Sequence, residues 1–189
     1  MSNTLHVQAI GLLALVSGCS AVLWRDPLDV PEKLRPPAHQ TLAVEANAAG
    51  VQIYQCSLTS QQPSRLEWVF KGPEAELTDS VGRHLGKHYA GPTWESIDGS
   101  TVVGAVVAHD AGPDPQAIPW LLLRATANTG PGVFGPVTSI QRLRTVGGSR
   151  PAIPCTQDNA KAVARVPYTA LYRFHAPAPE PTLRGAASD

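Results

Sequence analysis

Between Leu42 and His175 the sequence is broken into short β-branched and aromatic runs by Gly, Pro, Asn and Asp, and no stretch carries a sustained helical period. That pattern predicts an all-β chain. Thr41 to Ala46 and Val51 to Ser57 read as two strands around Asn47-Ala48-Ala49-Gly50, whose terminal glycine suits a hairpin loop. Arg65 to Phe70 reads as a third strand, ended by Gly72-Pro73. Thr93 to Ile97 and Thr101 to Ala108 flank Asp98-Gly99, a strong hairpin signal because both turn residues tolerate positive φ. Ile118 to Ala127, Val133 to Arg144 and Tyr168 to His175 bring the set to about eight, the number expected of a sandwich or barrel. Ile118 to Leu123 lacks alternation, as in a strand buried on both faces, with Pro119 at its start or on an edge. Glu74 to Ser80, after Pro73, leaves room for at most one short helix. The expectation is a single-domain antiparallel β-sandwich or barrel.

The two ends differ from this body. Residues 1–18 read as a lipoprotein-type signal peptide: an apolar run from Val7 to Val16 is too short for a bilayer-spanning helix but long enough for a secretory core. Val16-Ser17-Gly18-Cys19 resembles the lipobox of bacterial lipoproteins, in which the cysteine is acylated, with palmitate for example, after cleavage. The n-region carries no Lys or Arg, so an ordinary secretory signal is the alternative. Residues 19–39 are proline-rich and read as a tether, residues 40–175 as the β domain, and residues 176–189 as a disordered Pro/Ala tail. The expected location is the bacterial cell envelope, as a periplasmic or outer-membrane lipoprotein held in the membrane by lipid at Cys19, or outside the cell if secreted.

The chain has 3 cysteines. With Cys19 acylated, Cys56 and Cys155 remain, and an oxidising compartment would join them in a disulfide, the alternative being two separately buried thiols. Lys plus Arg number 15 and so do Asp plus Glu. A chain with no net positive field has nothing to hold a phosphate backbone, and no nucleic-acid partner is predicted.

The densest polar segment contains His84, His88, Tyr89, Trp94, Glu95, Asp98 and Ser100. His88, Tyr89, Trp94, Glu95, Asp98 and Ser100 form the candidate ligand-binding set, the ligand being a small molecule or glycan. Tyr89, Trp94 and Trp120 would supply flat rings for stacking, although Trp68 and Trp120 lie in apolar runs and read equally as core. As chemistry, His88 and Glu95 form a candidate acid/base pair with Asp98 as orienting group. Each residue has a structural reading as well: turn residue for Asp98, solvent-facing strand residue for Glu95, packed histidine for His88. A Ser100-His88-Asp98 triad lacks any Gly-x-Ser-x-Gly context. His84 and His88 have metal-ligand spacing, with Glu95, Asp98 or His109 as a third ligand, but Gly82 and Gly86 disfavour the helix this spacing needs. No metal and no cofactor are predicted.

Several segments together resemble a bacterial and fungal family known as domain of unknown function 3455. They are Gly50 to Cys56, Trp68 to Ala75, Gly86 to Glu95, Asp98 to Ser100, Ile118 to Leu123, and Ile140 to Arg142 with Gly147-Gly148. The resemblance spans about Leu42 to His175. It implies a shared domain without a settled activity. Some members carry a malate dehydrogenase label, yet this chain has no Gly-x-Gly-x-x-Gly turn to hold a dinucleotide. Three functions follow as expectations, in order: a ligand-binding or surface-interaction module, an extracytoplasmic enzyme using His88, Glu95 and Asp98, and a purely structural envelope protein.

Overall fold

The computed structural model describes residues 28–59 and 65–179. The strands are β1 (Gln40–Leu58), β2 (Leu66–Thr78), β3 (His84–Tyr89), β4 (Thr93–Ser96), β5 (Thr101–Asp110), β6 (Trp120–Thr129), β7 (Ser139–Gly147) and β8 (Val163–Pro177). Each pairs antiparallel with its neighbours in sequence order, and β8 returns to β1, so the sheet closes into an up-and-down barrel. Closure removes the exposed edges that a sandwich of this length would have to protect. The expected all-β antiparallel fold is what the chain forms.

Alternation along the strands fills the interior. Ala46 and Ala48 of β1, Ala75 and Leu77 of β2, Trp94 of β4, Val102 of β5, Leu123 of β6, Ile140 of β7 and Tyr168, Ala170, Tyr172 and Phe174 of β8 form one core cluster. Small residues on β1 and β2 make room for the aromatic rings of β4 and β8, the large-against-small packing a narrow barrel requires. One end is plugged by the β6–β7 loop, whose Phe134 ring lies 4.5 Å from that of Phe174.

Three local expectations give way. Asn47 to Gly50 is no hairpin loop, because β1 runs unbroken for 19 residues and pairs through this stretch with both β2 and β8. Gly50 is there for close approach: a Cβ would collide with the Glu74 carbonyl oxygen and with Ala75. Glu74 to Thr78 is strand and not helix, since Ala75 and Leu77 point inward on alternate positions while Glu74 and Glu76 face out. Gly72-Pro73 does not end β2 but follows a bulge at Lys71, opposite the step from Ile53 to Tyr54. Conversely, the segment around Gly86, to which the sequence reading assigned no strand, is β3. Gly86 has φ 153°, and a side chain there would strike the Glu95 carbonyl oxygen.

The described part of the proline-rich segment is packed on the barrel. Leu28, Val30 and Leu34, the last in a 3-10 turn (Glu32–Leu34), bury themselves against Trp120, Leu122, Leu143 and Leu171 on the outer face of β6, β7 and β8. Gln141 Nε2 donates to the Leu34 carbonyl at 2.6 Å, and Gln141 Oε1 lies 2.9 Å from His175 Nε2. Strand β6 is therefore covered on both faces, which explains its unbroken apolar run. The readings of residues 1–18, of Cys19 and of the last residues of the tail lie outside the described residues.

Cys56 and Cys155 form the disulfide, with Cα atoms 5.4 Å apart across a separation of 99 residues. It ties the end of β1 to the long β7–β8 connection.

Candidate functional site

The β3–β4 hairpin separates the candidate residues by parity. Its register pairs His88 with Trp94 and Lys87 with Glu95, so the first pair faces into the barrel and the second faces out. The His88 ring stacks on the Trp94 indole, centroids 4.4 Å apart and planes 7° from parallel, and Tyr172 meets both rings edge-on at 5.2 and 5.3 Å. On the outer surface Tyr89 donates its hydroxyl to Glu95 Oε2 at 2.9 Å, and Lys87 Nζ lies 3.2 Å from Glu95 Oε1. The Tyr89 hydrogen bond, with Lys87 adding to it, holds the Glu95 carboxyl below its usual range.

His88 and Glu95 thus stand on opposite sides of the barrel wall and form no acid/base pair. Asp98 serves neither of them. Its Oδ1 accepts from the Ser100 backbone N–H at 2.8 Å and the Ser100 hydroxyl at 2.6 Å, and its Oδ2 accepts from Val133 N–H at 2.9 Å. Ser100 Oγ in turn accepts from Phe134 N–H at 3.1 Å. These bonds, led by the Ser100 hydroxyl, hold Asp98 ionised down to about 2 and lash the plug loop to the β4–β5 turn. His84 points outward to Glu76 at 2.7 Å, and no cluster of metal-ligating side chains occurs among the described residues.

The barrel interior holds the concave site. Because β3 and β4 are short, β2 pairs with β3 only from Glu74 onward, and β4 pairs with β5 only as far as Val103. Beyond the hairpin turn the flanks of β2 and β5 diverge, and Phe70, Gly91, Pro92 and Val106 rim an opening between them. It leads to a cavity of about 300 Å³, at the small end of the range for ligand pockets. Its inner wall carries Gln52, His88, Trp94, Arg142 and Tyr172, with Leu121 and Leu123 as apolar surface.

The polar groups of this wall are mostly without protein partners. Gln52 Nε2, Trp94 Nε1 and the Tyr172 hydroxyl in the wall, and the Tyr168 hydroxyl outside the lining, are buried and meet no hydrogen-bond partner. The two hydroxyls lie near each other and near Arg142. Burial raises the pKa of both, keeping them O–H donors at neutral pH. His88 is 2 % exposed, and burial pulls it down to about 3, so it is neutral. Its Nδ1 lies 2.8 Å from the Thr93 carbonyl, which can only accept. The proton therefore sits on Nδ1, leaving the Nε2 lone pair as an acceptor.

Gln52, Arg142, Tyr168 and Tyr172 were not among the sequence candidates. Their signal was parity: Gln52 falls in the inward series Ala46, Ala48, Gly50, Tyr54 of β1, and Arg142 follows Ile140 by two. A polar residue recurring at an inward position marks the interior only once the strand's facing direction is known.

Together these features define an antiparallel eight-stranded barrel with a side opening and a polar-tipped apolar cavity. The chain belongs to the family described as protein of unknown function, DUF3455, which matches residues 37–176. Comparison with curated proteins and with solved structures returns no match.

Proposed function

We propose that this domain is an extracytoplasmic binding module that takes one small, flat molecule into the barrel interior. The observation that carries the reading is the set of buried donors around one cavity, Gln52 Nε2, Trp94 Nε1 and the Tyr172 hydroxyl, with no partner in the protein. Each unpartnered buried polar group costs a fold about 1–3 kcal/mol, so three facing one space favour an occupant that pairs with them. A cavity of about 300 Å³ admits a single small molecule rather than a chain of sugars. Binding is preferred to catalysis because the wall holds one neutral imidazole and no carboxylate to work with it. It is preferred to a purely structural role because such a role has no use for a polar interior.

The location rests on the Cys56–Cys155 disulfide, which persists in oxidising compartments. An envelope lipoprotein anchored at Cys19, or a secreted form of it, is the reading that joins this bond to the signal-like N-terminus.

A thermal-shift panel of small planar aromatic compounds tests the binding reading, with the wild-type domain beside Val106→Trp. Val106 is 54 % exposed at the rim, so the larger ring closes the opening without entering the core. A true ligand at a hundredfold excess over its Kd stabilises by about 2.7 kcal/mol. The stabilisation is expected in the wild type and not in Val106→Trp. No shift with any compound, or a shift that survives the blocked rim, overturns the proposal.

A further inference from the structure

We propose that the occupant of the cavity is a planar carboxylate whose charged end is gripped by Arg142. The inference rests on the binding reading above and adds the chemical class. Four observations carry it.

The cavity has one sign of charge. Arg142 lies in its inner wall and Lys71 at its rim, while no Asp or Glu contributes to the lining. A third cation, Arg150, lies outside the lining and acts on Tyr54 of the same inward series.

Arg142 is also held in a specific pose. Nε and Nη2 both donate to the Pro119 carbonyl, at 3.0 and 2.9 Å. That consumes the side edge of the guanidinium and leaves the Nη1/Nη2 end as a two-pronged donor. No carboxylate of the described residues pairs with it. A fork with that geometry matches the two oxygens of a carboxylate.

The neighbouring groups donate as well. In the register Arg142 stands opposite Tyr172 on β8, and the unpartnered Tyr172 hydroxyl and Gln52 amide offer further hydrogens to an anion.

Finally, the rest of the wall is apolar and includes an aromatic ring. Trp94, Leu121, Leu123 and Pro92 give a surface for a ring or an unsaturated chain. An aliphatic anion without such a body would leave that surface unfilled.

The experiment compares 2-naphthoate with 2-naphthamide, two probes of one shape that differ in charge, by calorimetric titration of the disulfide-bonded domain. Naphthoate should bind at least about tenfold tighter, as expected for a charge-assisted fork against a neutral amide. Arg142→Gln should bring the two affinities together, its folding being checked by a cooperative melt. Equal or tighter binding of naphthamide to the wild type overturns the carboxylate assignment and leaves the cavity as a binding site. Binding of neither probe, or of both with Val106→Trp, overturns both readings. A preference that persists in folded Arg142→Gln overturns the role of Arg142. If that variant does not fold, Arg142→Lys decides: it keeps the charge and loses the fork, and undiminished naphthoate affinity counts against the assignment.

Discussion

The His88 imidazole lies flat against the Trp94 indole, 4.4 Å from centroid to centroid, with its Nδ1 proton committed to the Thr93 carbonyl. Burial holds the histidine neutral near pH 7 and leaves its Nε2 as a fixed acceptor towards the cavity. It also gives the barrel a pH-dependent stability.

His88 drops from 6.5 to about 3 on burial. Between those values the unfolded chain binds a proton that the folded barrel refuses. The full stability is present above about pH 6.5 and falls as pH is lowered towards 3, by up to about 5 kcal/mol. Denaturant melts of the wild type and of His88→Phe across this range should diverge, with the variant showing a flatter acid limb. Parallel curves would show that His88 does not titrate as its burial implies.

Reducing the Cys56–Cys155 bond frees a loop that spans 99 positions of sequence. The unfolded state gains the most from that freedom, and a loss of about 2–4 kcal/mol is expected. Chemical melts with and without reductant, and of the Cys56→Ala/Cys155→Ala pair, measure it.

Asp98 and Ser100 act as a clasp on the plug loop. Ser100→Ala removes a buried hydroxyl that both donates to Asp98 and accepts from Phe134 N–H, and should destabilise by about 1–3 kcal/mol. Asp98→Ala should lower Tm clearly, while Glu95→Gln on the outer surface should leave it almost unchanged. Ligand affinity in the folded variants should follow none of these, because neither Asp98 nor Glu95 lines the cavity.

Leu34 is fully buried against the barrel's outer face. Leu34→Ala should cost about 2–4 kcal/mol, the range for truncating a buried leucine. A segment acting only as a spacer would tolerate the change with no shift of Tm.

For the anchor, metabolic labelling with a radioactive fatty acid should mark the native chain and not Cys19→Ala. Equal labelling of the two would leave a secretory signal without lipidation.

Asp98-Gly99 identified the β4–β5 turn correctly, because a two-residue turn signal acts locally and needs no partner. Gly50 and Gly72-Pro73 misled for the complementary reason. A glycine reads as a turn from its neighbours alone, but here it admits the crossing backbone of another strand, a requirement set by residues far away in sequence. The expected strand total came out right although β1 had been divided and β3 overlooked. Of the candidate residues, His88 and Trp94 reach the cavity, and Tyr89, Glu95, Asp98 and Ser100 do not.

By itself the sequence determined the all-β class, the antiparallel connectivity expected of short linkers, the family resemblance and a pairable Cys56 and Cys155. These follow from local conformational preference and from composition. Only the tertiary structure decided which face of each strand turns inward, and with it the company of His88. A shift of one residue in register moves every side chain to the opposite face, and register is set by pairing across the closed barrel. That is why Gln52, Arg142 and Tyr172, drawn from β1, β7 and β8, converge on a ring pair from β3 and β4, while Glu95, next in sequence to Trp94, faces solvent.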